Sequence, residues 1–577
     1  MNAGPASSAL AGLAERYWVF LSHELPMTAI QAGEPTPDAV LFRESPADHD
    51  RRHRIAGELL AEAAVIPTGG LTAADKATHA LLRRELESLR SLHEVAAHLR
   101  PSLFPNGPAL MAAHFANTSS VGDAASAELY LDRLATIPAW LGDLAASLRA
   151  GHERGFRYPR RVLDVAAAGI RGAAAAPAEA QPWAGPFRRS AVAGRDSVRR
   201  VEGRLEAFVR TELVPAFTAF ADLLGGLLAD GARESIGCGD DLDGRDLYRA
   251  LVRDFTTTDL GPEEIHELGL SEVERLEGEI GAIAAEAGFP GNLAGYRRFL
   301  SGAEFLAPTR EALRERTQVL CKRIDARIPA FFGRIPRMTY GVESMPEALA
   351  ERFPPAYAQP NPADRSASGV FWVTSLPGRL PIWLQVPMAL HEAWPGHLMQ
   401  IALMQEAEDL PSFRRHGAIR YQACVEGWAL YCENLGADMG LYETPHEHYG
   451  RLEMEIWRAL RLVVDSGIHW HGWSRDRAVE TMARHLALPR PTIEAEVDRY
   501  IGWPGQALVY QIGNLRFRAL RCLAEQKLGE RFRIRDFHDA LLSAGPVSLP
   551  VLGDLTEAWV NREDASSSES EGRNAHS

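Results

Sequence analysis

Two histidines and a glutamate, residue types that can share a metal ion and a water, stand close together in Leu390-His391-Glu392-Ala393-Trp394-Pro395-Gly396-His397-Leu398-Met399-Gln400. In a helical H-E-x-x-H run, two imidazoles four positions apart lie on one face and bind zinc, while the glutamate beside the first activates water. Here the second histidine comes six positions after the first. At about 100° per residue, four steps bring a side chain nearly back in line, whereas six leave it roughly 120° away. A regular helix therefore cannot turn both histidines to one metal. Pro395 and Gly396 fill the gap, and both interrupt helices: proline lacks the N–H donor, and glycine tolerates torsions that other residues resist. Their placement predicts a local bulge that returns His397 to the metal beside His391. The alternative, on these residues alone, is a core helix that ends at Pro395 with two incidental histidines.

A second helical stretch, Glu426-Gly427-Trp428-Ala429-Leu430-Tyr431-Cys432-Glu433, begins 29 positions beyond His397. A zinc with two imidazoles needs a third protein ligand and an open position for water. A glutamate from a second helix downstream is the arrangement of glutamate-zincins such as thermolysin. Glu426 and Glu433 are seven apart, so both can lie near one face. Glu426 is the expected ligand, with Glu433 behind the ligands or simply solvated. Cys424, two residues before Glu426, reads as a small buried helix residue rather than a ligand or nucleophile.

These motifs resemble the bacterial "domain of unknown function 885" family, which is grouped with glutamate-zincin peptidases. The likeness rests on His391-Glu392 with Pro395-Gly396-His397 and on Glu426-Gly427-Trp428-Ala429-Leu430-Tyr431. Further matches are Arg461-Leu462-Val463-Val464-Asp465-Ser466-Gly467-Ile468-His469, Gly472-Trp473-Ser474, and Arg499-Tyr500 followed by Pro504-Gly505-Gln506-Ala507. Weaker similarity runs from about Thr258 to residue 550. One departure is visible: the family's extended stretch before the metal helix usually ends in asparagine, and here it reads Val370-Phe371-Trp372-Val373-Thr374.

Past the metal helices, Arg461, Asp465, His469 and Trp473 recur at steps of four on one helix face. By themselves they read as a surface salt bridge beside a half-buried tryptophan. Within the resemblance, an Arg461–Asp465 pair orients His469 toward the transition state. The helix after Pro504 places Gln506 and Tyr510 on one face, with Arg499 and Tyr500 just before it. His469 and either Tyr500 or Tyr510 are the candidate donors to a developing oxyanion. Arg499, Gln506 and Trp372 are the candidate substrate contacts.

The elements that must position these groups are mostly helices. Ala9–Ser22, Lys76–Leu99, Ala125–Ala150 and Arg161–Ala176 show helical apolar spacing or alanine richness. The proline-rich loop of residues 176–186 separates helices, and residues 189–228 form a helical hairpin or one long helix. Thr258–Ala287 opens on a threonine/aspartate cap, and a further helical run covers Arg310–Phe332. Strands are expected at Ile335–Val342 and Gly369–Ser375, the latter alternating and bounded by glycine and proline. A strand just before the metal helix can be the edge that pairs with an extended substrate, or an ordinary hairpin. One further run, His93-Glu94-Val95-Ala96-Ala97-His98, also spaces His-Glu-His, but surface histidines on an amphipathic helix account for it.

The chain of 577 residues suits a mostly α, two-lobed helical body with a deep cleft and a small hairpin or short sheet beside the metal helix. The expected division is an N-terminal lobe over 1–236, a C-terminal lobe with the metal site over 237–562, and a disordered serine- and charge-rich tail over 563–577. With 62 basic and 76 acidic residues the net charge is −14, which disfavours nucleic acid and anionic membranes as partners. Five scattered cysteines without a Cys-x-x-Cys pair argue against disulfides and structural zinc, and a reducing cytoplasm fits best. Neither a secretory signal nor a membrane span is recognisable. The expected activity is zinc-dependent hydrolysis of a peptide or other amide, with Zn2+ held by His391, His397 and Glu426, and Glu392 as general base. The alternatives are cleavage of a C–N bond in a specialised small molecule, and a helical binding protein with a vestigial site. Oligomeric state is not legible.

Overall fold

Many helices begin on a proline in their first turn, where the missing N–H is no loss. Ser45 and Asp48 exchange side-chain-to-backbone hydrogen bonds of 3.1 and 3.2 Å ahead of helix Pro46–Ala64. Thr444 and Glu447 repeat this reciprocal cap ahead of Pro445–His469. The computed structural model describes residues 4–36, 38–177, 181–350, 354–363 and 365–574. Among these residues the fold is mostly α, with one three-stranded sheet. The buried apolar residues form a contiguous cluster from Leu10 to Val560.

Several boundaries differ from expectation for local reasons. The run expected over Ala125–Ala150 is two helices, Ala124–Leu134 and Ile137–Arg154, because Pro138 has no N–H to carry the helical ladder back to Leu134. The 189–228 stretch is neither a hairpin nor a regular helix from its start. It begins at Asp196 and passes through a π turn, Val209–Leu213, into Val214–Gly225, where Pro215 cannot donate to the preceding ladder. The helix expected from Thr258 starts at Pro262, and Glu264 reaches back to accept from the Gly261 N–H at 2.7 Å. The last helix, Leu549–Asn574, continues through most of the expected tail, with Asp564 paired to Arg531 at 2.6 Å. Parts of two expected segments, residues 178–180 within the 176–186 loop and 575–577 at the end of the tail, lie outside the described residues.

The sheet has the order β1-β3-β2, with β1 Tyr340–Ser344, β2 Ala356–Gln359 and β3 Gly369–Val373. β1 pairs with β3 in parallel and β2 pairs with β3 antiparallel. β3 is therefore the central strand, not an edge. The unforeseen edge strand, β2, is four residues between Pro355 and Pro360, too short to show a period.

Six helices build the site: α1 Ile382–Glu392, α2 His397–Glu406, α3 Gln422–Asp438, α4 Pro445–His469, α5 Arg490–Gly502 and α6 Val509–Leu528. Every residue of α4 from Leu452 to His469 is buried. α3 and α6 cross at glycines: a Cβ on Gly427 would sit 2.4 Å from the Gly513 Cα. Only this close approach brings the Glu426 turn against α6. A cavity of about 190 Å³, lined in part by Arg84, Asp254, Tyr421 and Gln422, lies beside the start of α3.

Candidate metal centre

α1 stops where the sequence breaks the ladder. Ala393 leaves helical torsions (ψ −128°), the Trp394–Pro395 peptide is cis, and Gly396 (φ −70°, ψ −135°) hands the chain to α2. The interruption is thus a full break between two helices rather than a bulge within one. His391 lies in the last turn of α1 and His397 opens α2. Gly396 is needed for space, not for a positive φ: a Cβ there would lie 1.9 Å from the His391 carbonyl oxygen and 2.4 Å from that of Leu390. The Trp428 indole N–H holds the break by donating to the Pro395 carbonyl at 2.9 Å. The tryptophan of the Glu426-Gly427-Trp428 run therefore positions the other motif.

The two imidazoles stand 4.8 Å apart, nearly perpendicular at 88°. Each Nε2 lies 3.4 Å from Glu426 Oε2, and the three donor atoms fall within 4.8 Å of one another. That carboxylate oxygen is buried yet has no hydrogen-bond partner. Two imidazole nitrogens and an unsatisfied oxygen face one centre as ligands do. Two histidines and one glutamate are also a donor set that suits zinc. The residues fit a metal. Glu433, fully buried, accepts from His391 Nδ1–H at 2.7 Å, which leaves Nε2 with a lone pair directed at the centre. Among the described residues no other group of three such side chains converges.

The electrostatics point the same way. Burial by itself would lower the His391 imidazole, but the adjacent Glu426 and Glu433 carboxylates, with Glu392 nearby, push it up to about 10. Burial works against ionised Glu426 too, and His397 with His391 holds it well below the usual carboxylate range. Glu392 is raised by burial, against the pull of His391 and His397. The carboxylates packed around the two imidazoles thus favour positive charge at this place. Glu392 Oε2 accepts from the Ala358 N–H at 2.8 Å, so the edge strand beside this carboxylate is β2.

The other anticipated residues divide. His469 is not available as an oxyanion donor: its Nδ1 accepts from the Cys238 N–H at 3.0 Å and its Nε2–H donates to the Tyr500 carbonyl at 2.9 Å. Burial lowers its pKa to about 4, so it stays neutral. The Arg461–Asp465 pair does not form; Asp465 accepts from Tyr248 at 2.6 Å and from the Gly505 N–H at 3.0 Å. The Tyr500 hydroxyl is enclosed, donating to Glu496 at 2.8 Å and accepting from Arg461 at 3.0 Å. Arg499, Gln506 and Tyr510 do meet: one guanidinium nitrogen donates to Gln506 Oε1 at 2.7 Å and to the Tyr510 oxygen at 3.2 Å. Trp372 donates across the strand pair to Gln359 at 2.9 Å. The His93–His98 run is two stacked rings, 4.5 Å apart, with His93 on Asp50, and holds no convergent donor set. Cys424 is buried, which pushes its thiol up to about 12, as suits a packing residue.

Arg458 was not anticipated. It is buried on α4 with Nη2 4.0 Å from Glu433 Oε1. The legible signal was Arg458-Ala459-Leu460-Arg461, two arginines three apart inside an apolar helix.

No curated protein matches the chain. A crystal structure of a protein from Colwellia psychrerythraea, described as a "putative lipoprotein", superposes with a TM-score of 0.89 at 24% identity, covering 96% of this chain and 99% of that one. A protein from Shewanella oneidensis, described as a "putative lipoprotein of unknown function", gives a TM-score of 0.72 at 17% identity, with 96% and 100% covered. At these identities the likeness establishes the fold alone. The family described as "Bacterial protein of unknown function (DUF885)" matches residues 26–555, and on that match, which takes in both His/Glu stretches and all six helices of the site, the chain belongs to this family.

Proposed function

We propose that the chain is a zinc-dependent hydrolase of the glutamate-zincin type, cleaving a peptide or other amide bond. The observation that carries this reading is the convergence of His391, His397 and Glu426 within 4.8 Å, with Glu392 next to His391 in the chain. When bound, zinc supplies Lewis acidity, polarising a carbonyl and letting water lose a proton near neutral pH. Glu433 keeps His391 in the tautomer whose Nε2 can bind. Glu392 has one oxygen fixed by the Ala358 N–H, and its other oxygen takes the proton of the attacking water. That proton then passes to the leaving nitrogen as the C–N bond breaks, giving a carboxylate and an amine. The outer edge of β2, beside Glu392, suits pairing with an extended substrate backbone. Of the anticipated oxyanion donors, Tyr510 remains, because Arg499 donates to its oxygen and leaves its own O–H to give.

The test is Glu392→Gln, nearly isosteric and outside the ligand set. Zinc content should stay at the wild-type level while amide turnover falls by about 10² or more. Turnover near wild type would remove Glu392 as base and the mechanism with it. The described cysteines are unpaired, and the two structural neighbours carry the description of lipoproteins. No described helix is long and apolar enough to cross a membrane.

A further inference from the structure

We propose that Arg458, Arg461 and Arg499 form a subsite for the free carboxylate of the substrate. The substrate class is then a peptide or N-acyl amino acid cut close to its C-terminal carboxylate. The inference rests on the hydrolytic reading above for the cut, but not for the binding.

The argument starts from charge. Arg458 and Arg461, three apart on α4, are only 5% and 3% exposed. Arg499 comes from α5 with its side chain 22% exposed, so the cluster meets solvent there. The three surround one tyrosine: the Arg461 and Arg458 guanidinium carbons lie 4.3 and 5.8 Å from the Tyr510 ring centre, and Arg499 donates to its oxygen. Against three cations stands one carboxylate devoted to them. Glu496 takes Arg461 at 3.0 Å and Arg499 at 3.6 Å, and also accepts from Tyr500. Glu433 approaches Arg458 only to 4.0 Å, through an oxygen already bonded to His391.

The donors are also short of acceptors. Arg458 Nε and Arg461 Nη1 are buried with no hydrogen-bond partner. Burying a charge without a nearby counter-ion is strongly unfavourable. Arg275, with its side chain 32% exposed, has by contrast Glu272, Glu279 and Glu455 all within 2.9 Å. The three arginines share Glu496 and the distant edge of Glu433, which leaves the cluster with more positive than negative charge. A planar carboxylate is the group that guanidinium forks receive best.

Position assigns that anion to the substrate. Arg458 lies beside Glu433, which holds the ligand His391, so the cluster begins one side chain away from the metal ligands. One extended residue spans at most about 3.6 Å, so a carboxylate seated here leaves room for only a short segment beyond the scissile bond.

The test uses full-length Glu392→Gln protein, so that nothing is turned over, and two probes: N-acetyl-trialanine with a free C-terminal carboxylate and the same peptide as its C-terminal amide. Calorimetric titration should show the acid binding roughly 10- to 100-fold more tightly than the amide, the range of a charge-assisted hydrogen bond. Adding Arg461→Gln, or the milder Arg499→Gln, should collapse that ratio toward one. Zinc content and the circular-dichroism spectrum should stay unchanged. Acid preference persisting in protein that binds no zinc would uphold the subsite and remove the hydrolytic reading. Zinc-dependent cleavage by the wild type with equal binding of acid and amide would do the reverse. Failure to bind either peptide, or a ratio unmoved by both arginine variants, overturns the subsite.

Discussion

Glu426 and Glu433 sit seven residues apart on one helix, and what separates their roles is which imidazole nitrogen each one faces. Glu426 faces both Nε2 atoms, whereas Glu433 takes the Nδ1 proton of His391 from behind. Removing a ligand and removing the group that orients a ligand have different consequences. Glu426→Ala should lose zinc altogether, because two imidazoles alone hold it poorly. Glu433→Ala should keep zinc but bind it about 10- to 100-fold more weakly, the usual effect of deleting an orienting partner. Metal content and competition with a chelator of known affinity measure both. If Glu433→Ala emptied the site while Glu426→Ala kept it, the assignments would have to be exchanged.

At the level of elements, the break between α1 and α2 is what makes a six-residue spacing workable, and it tolerates no side chain at Gly396. A Cβ 1.9 Å from the His391 carbonyl oxygen cannot be relieved by a rotamer change, since the obstacle is backbone. Gly396→Ala should therefore shift the start of α2 and lower zinc affinity by about tenfold or more while the helical content survives. Unchanged affinity in a titration would show that the break has slack. Deleting Pro395 and Gly396 together creates H-E-x-x-H by number, yet turnover should drop. Glu426 and the Trp428 bond to Pro395 are arranged around the break, and a displacement of 1 Å at a catalytic group can cost about 10²-fold.

Across the whole molecule, Asp465 joins α4 to helix Gly244–Thr256 through Tyr248 and to the turn before α6 through Gly505. Burial raises its pKa to about 7, against the opposing hydrogen bonds from Tyr248 and Gly505. An unfolded aspartate titrates near about 3.9. Between those values the folded chain keeps a proton that the unfolded chain has lost. The stabilisation from this proton is complete below about pH 4 and fades as pH rises through about 7, by about 1.4 kcal/mol per unit. Asp465→Asn removes that dependence. Urea denaturation from pH 4.5 to 7 should show the stability of the wild type relative to the variant declining with pH, whatever the constant offset. Parallel curves would mean that Asp465 does not hold this proton.

The sequence by itself determined the helical class, the strand β3, and the two stretches that supply His391, Glu392, His397 and Glu426. Each of these is a local matter. Apolar period, proline at a helix start and the phase of six residues on a helix are set by neighbours in the chain. Only the tertiary structure decided which groups meet. His469 shares a helix face with Arg461 and Asp465, yet both its nitrogens are taken by backbone from Cys238 and Tyr500, hundreds and tens of residues away. β2 escaped notice because four residues cannot display a period, and Arg458 because two arginines three apart in an apolar helix do not say which buried partners they meet. What a side chain finds across a helix interface depends on long-range packing, and neither spacing nor composition encodes it.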